Sequence, residues 1–522
     1  MTGLSRLVAP EEKPVSAKVM RNVVFNGLRV ALVWPVPLLL VPFILAKVGV
    51  VGYGTWAVLL AIISLTSLAD VGLAGTLTKH VAEHYAHNDF AALNRLISTG
   101  LMLYSLIALA VVAVLELAAH ALIPVLLRGS ATPPPELRVL WHLTLATVAV
   151  NLVTLAFYSV VTGLQRMELS SILGSFNVLF GALLTVVFLE WRWALPGLLI
   201  ANLSAAVLTL LLYVWMVYRL LPDLRVNPFR FELDEVRGIF SFSLQMYVTG
   251  IAVVIHNHIE KLFLAWLTGV VPAGWYSIGS DAAWKVRSVP GLLLTPMMAG
   301  ASELHARGER EKLRELYHRS HKYLACIGVP MVVYVAVVSR RLVDLWVGPK
   351  LGAVAMPLTV LLIVDFLNLT TGPGYYVLVG QGILKPGVYS ALLGIGLNVP
   401  LSLGLIYFYG FSGAVVGTAV ALTVASAFFM ILFDRQEGAG VRRLIREAYL
   451  KPALCSLAAL AILFVHPPWA SGGWGALTLD GFAFGFLYLL ALVLSRFFDH
   501  FDLDKIESLF PMARVARRII PV

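Results

Sequence analysis

Charge is what this sequence has least of. Only 13% of its 522 residues are Asp, Glu, Lys or Arg, whereas 59% are hydrophobic. A soluble domain carries about 25% charged residues, so this chain could not cover a soluble surface. The excess apolar area must face lipid. Cysteine is nearly absent: Cys326 and Cys455 both lie in apolar stretches, which argues against a disulfide framework. No G-x-x-x-x-G-K-[ST] phosphate loop occurs, which argues against a self-contained ATP pump. Energy would come from an ion gradient, the membrane potential or consumption of product. A cleavable signal pattern is also missing. Residues Met1 to Met20 are polar and basic and the next apolar run is too long for a signal core, so that run is expected to stay as a membrane helix.

What is present is a succession of apolar runs. Crossing the hydrocarbon core takes about 20 apolar residues. Spans are predicted near 20–46, 51–77, 97–126, 139–162, 169–189, 194–218, 238–267, 273–302, 320–339, 354–379, 387–408, 412–433, 450–466 and 476–497. The fold class expected is all-α and polytopic, with about fourteen transmembrane helices. The net charge of +10 follows from topology and does not call for a nucleic-acid partner. Of the 39 Lys and Arg residues, about 28 fall in the loops on the N-terminal side and about 7 in the opposite set, a bias that places both termini in the cytoplasm. Asn227–Arg237 and the tail from Asp502 to Val522 mix apolar and basic residues, as amphipathic surface helices or as solvated basic segments.

The halves repeat with an offset of about 220 residues. Gly49-Val50-Val51 aligns with Gly269-Val270-Val271, Glu83 with Glu303, Ala86 with Ala306, Leu93 with Leu313 and Leu96 with Leu316. Tyr158 to Arg166 resembles Tyr376 to Lys385 at a slightly shorter offset. Six helices per copy return the chain to its starting side, so the repeats are parallel. Their pseudo-two-fold axis is expected along the membrane normal, with a cavity between lobes. The organisation read from this is a cytoplasmic segment (1–19), an N-lobe (20–225), an amphipathic linker (226–237) and a C-lobe (238–434). Two further helices with their preceding loop (435–497) and a cytoplasmic basic tail (498–522) complete it.

Gly52-Tyr53-Gly54-Thr55-Trp56, then Leu68-Ala69-Asp70-Val71-Gly72-Leu73, then Lys79 and Val81-Ala82-Glu83 resemble the start of the Wzx-type polysaccharide flippases. These belong to the multidrug/oligosaccharidyl-lipid/polysaccharide (MOP) exporter superfamily. The second half echoes the pattern with Glu260-Lys261, Gly274-Trp275-Tyr276 and the helix carrying Asp281. The resemblance covers about 20–435. It implies a bacterial inner-membrane transporter, not an enzyme. Such a protein flips an undecaprenyl-pyrophosphate-linked oligosaccharide to the outer leaflet by alternating access, in the company of polysaccharide polymerase or export machinery. The arginine-rich start of the lipid II flippase branch is not evident, although the fourteen-helix count is shared. The rivals are a cation-coupled drug exporter of the same superfamily and a membrane polymerase or glycosyltransferase. The enzyme generally needs a long outer loop or acids in the first one, whereas here that loop is Gly49–Gly54.

Charges inside spans should face a cavity or a partner, since lipid penalises them. Arg29 and Asp70 lie at matching depths, about 13 Å and about 10 Å from the cytoplasmic ends of their spans. They are expected to approach each other, either as a static ion pair or as a pair that Arg29 leaves to receive the pyrophosphate. Asp281 and Lys285 share one helix face. Lys285 and Arg287 lie about 18–21 Å from the outer end, and two cations there suit a pyrophosphate; pairing with Glu260, Asp281 or Asp365 is the bland alternative. His256 and Glu260, four residues apart, are candidates for gating or ion coupling, as are Asp70, Asp281, Asp365 and Asn368, with Na+ or H+ as the coupling ion and no other cofactor. Pro35, Pro37, Pro42, Pro290 and Gly372-Pro373-Gly374 mark breaks. His80, Glu83 and His84 fit an inverted zinc-protease pattern, but a polar helix end explains them.

Overall fold

The computed structural model describes residues 33, 35–70, 72–130, 134–225, 244–294, 296–438, 440–461, 472–499 and 501–502. Among them there is no strand. Arg29, the 1–19 segment, the 226–237 linker and the tail beyond 502 lie outside the described residues.

The chain runs through α1 (Pro35–Leu65), a 3-10 turn (Thr66–Asp70), α2 (Leu73–Ala86), α3 (Phe90–Leu117), α4 (Ala119–Leu126), α5 (Pro134–Gly163), α6 (Met167–Glu190) and α7 (Ala194–Leu220). It continues through α8 (Leu244–Thr268), α9 (Val270–Gly291), a 3-10 turn (Leu292–Leu294), α10 (Met297–Ala306), α11 (Arg310–Trp346), a 3-10 turn (Pro349–Val354), α12 (Ala355–Leu369), α13 (Gly372–Gly380), α14 (Lys385–Tyr409) and α15 (Phe411–Glu437). Short α16 (Val441–Leu444) and a π turn (Ile445–Tyr449) lead into α17 (Leu450–Ala459), and α18 is Trp474–Leu494.

Among the described residues, 10 helices are long and apolar enough to cross a membrane. The chain is a multi-pass membrane protein. The difference from fourteen predicted spans has three sources. α1 is one helix by hydrogen bonding but two by shape, because Gly49 within it adopts φ 70°, ψ 179°, a conformation essentially reserved for glycine. The charged helices α8 and α9 are not among the ten. The thirteenth span runs into residues outside those described. Helix faces that meet no protein are apolar, as at Leu109, Leu117, Phe482 and Leu494, which is what a lipid solvent requires.

The repeat is visible in the backbone. Gly269, 220 residues after Gly49, has φ 101°, ψ 175°, so the same glycine break opens the second helix of each half. Asn88 (φ 56°) and Gly308 (φ 70°) each precede a long helix, which begins at Phe90 and at Arg310, again 220 apart. Pro290 precedes the 3-10 break after α9, and the interruption at Gly372 separates α12 from α13.

The contacts divide the chain into two compact units. One comprises Met1–Phe43, Gly72–Leu115 and His142–Phe242; the other comprises Ile44–Val71, Glu116–Trp141 and Ser243–Val522. The first has a core of Leu77, Val81, Leu96, Tyr104, Val160 and Tyr213 among others. In the second, α9 packs on α12, and α8 on α14. Here too α1 meets α9: a Cβ placed on Gly54 would lie 2.1 Å from the Val270 carbonyl oxygen, and one on Gly274 would lie 2.9 Å from Gly54 Cα. Gly54 and Gly274 are themselves 220 residues apart.

The final helices dock on α11. Cys455, Phe484, Tyr488 and Leu492 form a buried cluster with Tyr334 packed against it. Tyr488 Oη donates to the Cys326 carbonyl at 2.7 Å, and Arg341 Nη1 pairs with Asp480 Oδ2 at 3.0 Å. Beyond α18, Asp499 and Asp502 both engage Arg319 and Lys322. An aspartate inside an apolar span is tolerated here because the arginine meets it.

Candidate functional site

The second unit holds two adjoining cavities among its polar intramembrane groups. The larger, about 480 Å³, is lined by His256, Arg287, Asp365, Asn368, Tyr375 and Asn398 among others. The smaller, about 240 Å³, shares His256, Asn257, Trp284 and Asp365 with it and adds Asp281 and Lys285. Seven of the nine residues singled out from sequence fall here: His256, Asp281, Lys285, Arg287, Asp365 and Asn368 on the walls, and Glu260 behind them. Asp70 sits in the 3-10 turn after α1 and lines neither cavity. Its expected approach to Arg29 involves a residue outside those described.

Arg287 is held by neutral oxygens. Its Nε donates to the Asp365 carbonyl at 3.1 Å and its Nη2 to Asn368 Oδ1 at 3.3 Å. Asn368 Nδ2 in turn donates to Ser426 Oγ at 3.1 Å. Both acceptors sit near the C-terminal end of α12, where the helix dipole favours a cation. The Gly372-Pro373-Gly374 break thus supplies a helix end next to the cavity. The guanidinium is oriented without being neutralised by direct carboxylate contact among the described residues. The carboxylate of Asp365 turns instead to His256 Nε2, at 3.5 Å.

Lys285 lines the smaller cavity and makes no direct ion pair among the described residues. Its i,i+4 neighbour Asp281 is engaged elsewhere: Oδ1 by Lys261 Nζ at 2.9 Å and Oδ2 by Ser277 Oγ at 2.9 Å. Lys261 is 4% exposed, so it needs that partner. Formal charge is balanced, with Lys261, Lys285 and Arg287 facing Glu260, Asp281 and Asp365. Pairing leaves two cations, Lys285 and Arg287, without a bound carboxylate.

Glu260 is fully buried, at 0% exposure. Its Oε1 accepts from Asn398 Nδ2 at 2.7 Å and from Thr418 Oγ1 at 2.9 Å. Its Oε2, and the Oδ1 of Asn398, have no partner among the described residues. A buried carboxylate so placed needs a counter-charge or a proton. The two unpartnered oxygens, Glu260 Oε2 and Asn398 Oδ1, suit either a small monovalent cation or a proton. Asn398, Thr418 and Ser426 were missed in the sequence reading. The one signal was that each is a polar residue in an otherwise apolar run.

A family model described as "Polysaccharide biosynthesis protein" matches residues 19–301, more than half of the chain. The chain belongs to this family. The matched region includes α8 and α9, hence His256, Glu260, Asp281, Lys285 and Arg287, but stops before α12. A relative from Shigella flexneri, named "Putative O-antigen transporter", is 19% identical over 425 residues, covering 80% of this chain and 98% of the relative. Among solved structures, the lipid II flippase MurJ in an inward closed conformation matches at TM-score 0.70 with 14% identity, over 92% of this chain and 98% of that one. An inward-facing multidrug resistance MATE family transporter of the MOP superfamily matches at TM-score 0.58 with 15% identity, over 74% and 94%. These likenesses establish the fold. With the family match they agree with the Wzx-type, MOP-superfamily resemblance read from the motifs.

Proposed function

We propose that this polysaccharide-family transporter flips a polyprenyl-pyrophosphate-linked oligosaccharide from the cytoplasmic to the outer leaflet of a bacterial inner membrane. Alternating access is the mechanism and both termini are cytoplasmic. The observation that carries the reading is the wall formed by α9: Lys285 and Arg287 line intramembrane cavities without a bound carboxylate, and Arg287 is oriented by neutral oxygens. Bilayer interiors penalise such cations, so two kept at cavities without a carboxylate mark a ligand site. A pyrophosphate offers several charged acceptor oxygens and suits a guanidinium fork beside an ammonium. Arg29 would join them from the first span, with Asp70 as its resting partner. The family match and the Shigella relative support a polysaccharide-linked substrate, and a polymerase or export assembly would receive it.

Binding can be read directly. Native mass spectrometry of the purified protein with a short polyprenyl pyrophosphate is expected to show a one-to-one complex. Lys285→Ala should weaken it about tenfold, the equivalent of about 1.4 kcal/mol. Equal binding of the uncharged polyprenol would overturn the reading.

The coupling site proposed is Glu260 with Asn398 and Thr418, and the ion is Na+ or H+. His256 and Asp365 would sense its occupancy through their own contact, with Asp281 and Asn368 fixing α9 against its neighbours. Transport by the wild type is expected to respond to an imposed Na+ or pH gradient. Glu260→Gln should remove that response while leaving the protein folded, because the amide keeps an acceptor oxygen for Asn398 and Thr418. A Glu260→Gln protein that responds like the wild type would remove Glu260 from the coupling role.

A further inference from the structure

The two halves differ sharply at one place. In the first half, Tyr85 packs edge-on against Phe90 with centroids 6.5 Å apart. Asn94 ties down the chain that follows α7: its Nδ2 donates to the Asp223 carbonyl at 3.4 Å, and Arg225 N donates to its Oδ1 at 3.3 Å. Only about 180 Å³ remains open there. The positions 220 residues later are His305, Arg310 and Arg314. Aromatic, aromatic and amide have become three basic residues.

The chain after α15 also takes another course. It turns at Gly438, whose amide donates to the Asp434 carbonyl at 2.8 Å, and Asp434 Oδ1 accepts from Gly440 N at 2.7 Å. The space that the first half fills is left as a cavity of about 690 Å³, with His305, Arg310, Arg314, His318 and Arg443 on its walls. Arg310 has no ion-pair partner among the described residues. Arg314 meets Glu311 only at 3.7 Å, while Arg443 pairs with Glu447 at 2.7 Å. Glu437 is the acid on the wall.

A general cytoplasmic charge bias would load both halves alike and would not hollow one of them. A second observation also points to a ligand. Tyr317, 3% exposed, and Gln381 both line the cavity. Tyr317 Oη and Gln381 Oε1 are buried without a hydrogen-bond partner among the described residues. Buried polar groups are seldom left so.

We propose that this cavity is a binding site for a phosphoryl anion, separate from the intramembrane cavities of α8, α9 and α12. Arg310 and Arg314 hold the phosphoryl oxygens from the first two turns of α11, whose N-terminal dipole end adds to the attraction. Arg443 closes the far side. The phosphoryl group belongs either to a soluble phosphate ester or to the headgroup of an anionic lipid, because the charge bias puts this loop at the cytoplasmic membrane surface. The proposal does not depend on the transported substrate.

The test uses the full chain in nanodiscs, always in a Lys285→Ala/Arg287→Ala background, which removes both unpaired cations of the intramembrane cavities. One arm titrates inorganic pyrophosphate into phosphatidylcholine nanodiscs. The other measures phosphatidylglycerol retained per protein from mixed phosphatidylcholine–phosphatidylglycerol nanodiscs. Saturable binding in the first arm assigns a soluble ligand, and one retained lipid per protein in the second assigns a headgroup. In either case R310Q/R314N, which alters exposed side chains only, should weaken binding at least about tenfold, and Arg443→Gln should weaken it independently. Binding that saturates in neither arm, or that both variants leave unchanged, would overturn the proposal.

Discussion

Arg287→Ala is expected to slow translocation of a polyprenyl-pyrophosphate oligosaccharide by about 10- to 100-fold. The magnitude follows from losing one hydrogen-bonded charge contact, about 1.5–3 kcal/mol. Arg287 also ties α9 to α12 through the Asp365 carbonyl and Asn368, so loss of rate alone would not separate substrate binding from packing. Arg287→Lys provides the separation. It keeps the charge near the cavity but loses the planar fork that reaches two acceptors at once. If the charge serves the pyrophosphate, the lysine variant should recover part of the rate and keep its preference for pyrophosphate over monophosphate. If the fork serves only packing, both variants should lose thermal stability in step with activity, and headgroup preference should not move. Measuring rate, melting temperature and headgroup preference on the same preparations distinguishes the two.

Gly54→Val is the second large effect expected. A Cβ at Gly54 would lie 2.1 Å from the Val270 carbonyl oxygen and 2.7 Å from its carbon, and both are backbone atoms that cannot swing aside. Overpacking of this kind costs about 1–3 kcal/mol. A transporter that alternates between packings has a second place for these helix ends, so the cost shifts the population rather than only destabilising the fold. Thr55, next in sequence, is 0% exposed and hydrogen-bonds Ser130. With Cys326 and Cys455 replaced, a cysteine at position 55 should react slowly with a membrane-impermeant maleimide. Adding Gly54→Val should speed labelling about tenfold, in line with about 1.4 kcal/mol. Gly174→Val is the control, since nothing lies within 4 Å of a Cβ there. Unchanged labelling in correctly folded Gly54→Val protein would show that these ends do not separate.

The sequence made most of the helices legible, because lipid leaves few ways to satisfy a backbone. The repeat was legible for a related reason. Gly49 and Gly269 hold a backbone conformation that other residues avoid, so they had to stay glycine in both copies. The intramembrane charges could be located along the helices by counting. Their partners could not, because a partner depends on which neighbour each helix face meets. Asp281 faced Lys285 on its own helix, yet the ion pair runs to Lys261 on α8. Glu260 and His256 shared a face, yet Glu260 is fully buried while His256 reaches the cavity, and the donors to Glu260 come from α14 and α15. Asn398 and Thr418 carry no charge and so raised no alarm in an apolar run. Arg341 and Asp480 were overlooked, although they fix the last helix to α11 and account for an acid inside an apolar span.

The most direct measurement is transbilayer movement itself. The protein would be reconstituted into vesicles with a fluorescent polyprenyl-pyrophosphate oligosaccharide, and the fraction reaching the far leaflet followed by an impermeant quencher. The account predicts movement well above that in protein-free vesicles, slower movement of the monophosphate analogue, and loss of the difference between the two headgroups in Arg287→Ala. Movement no faster than in protein-free vesicles, or an Arg287→Ala protein that handles both headgroups as the wild type does, would contradict it.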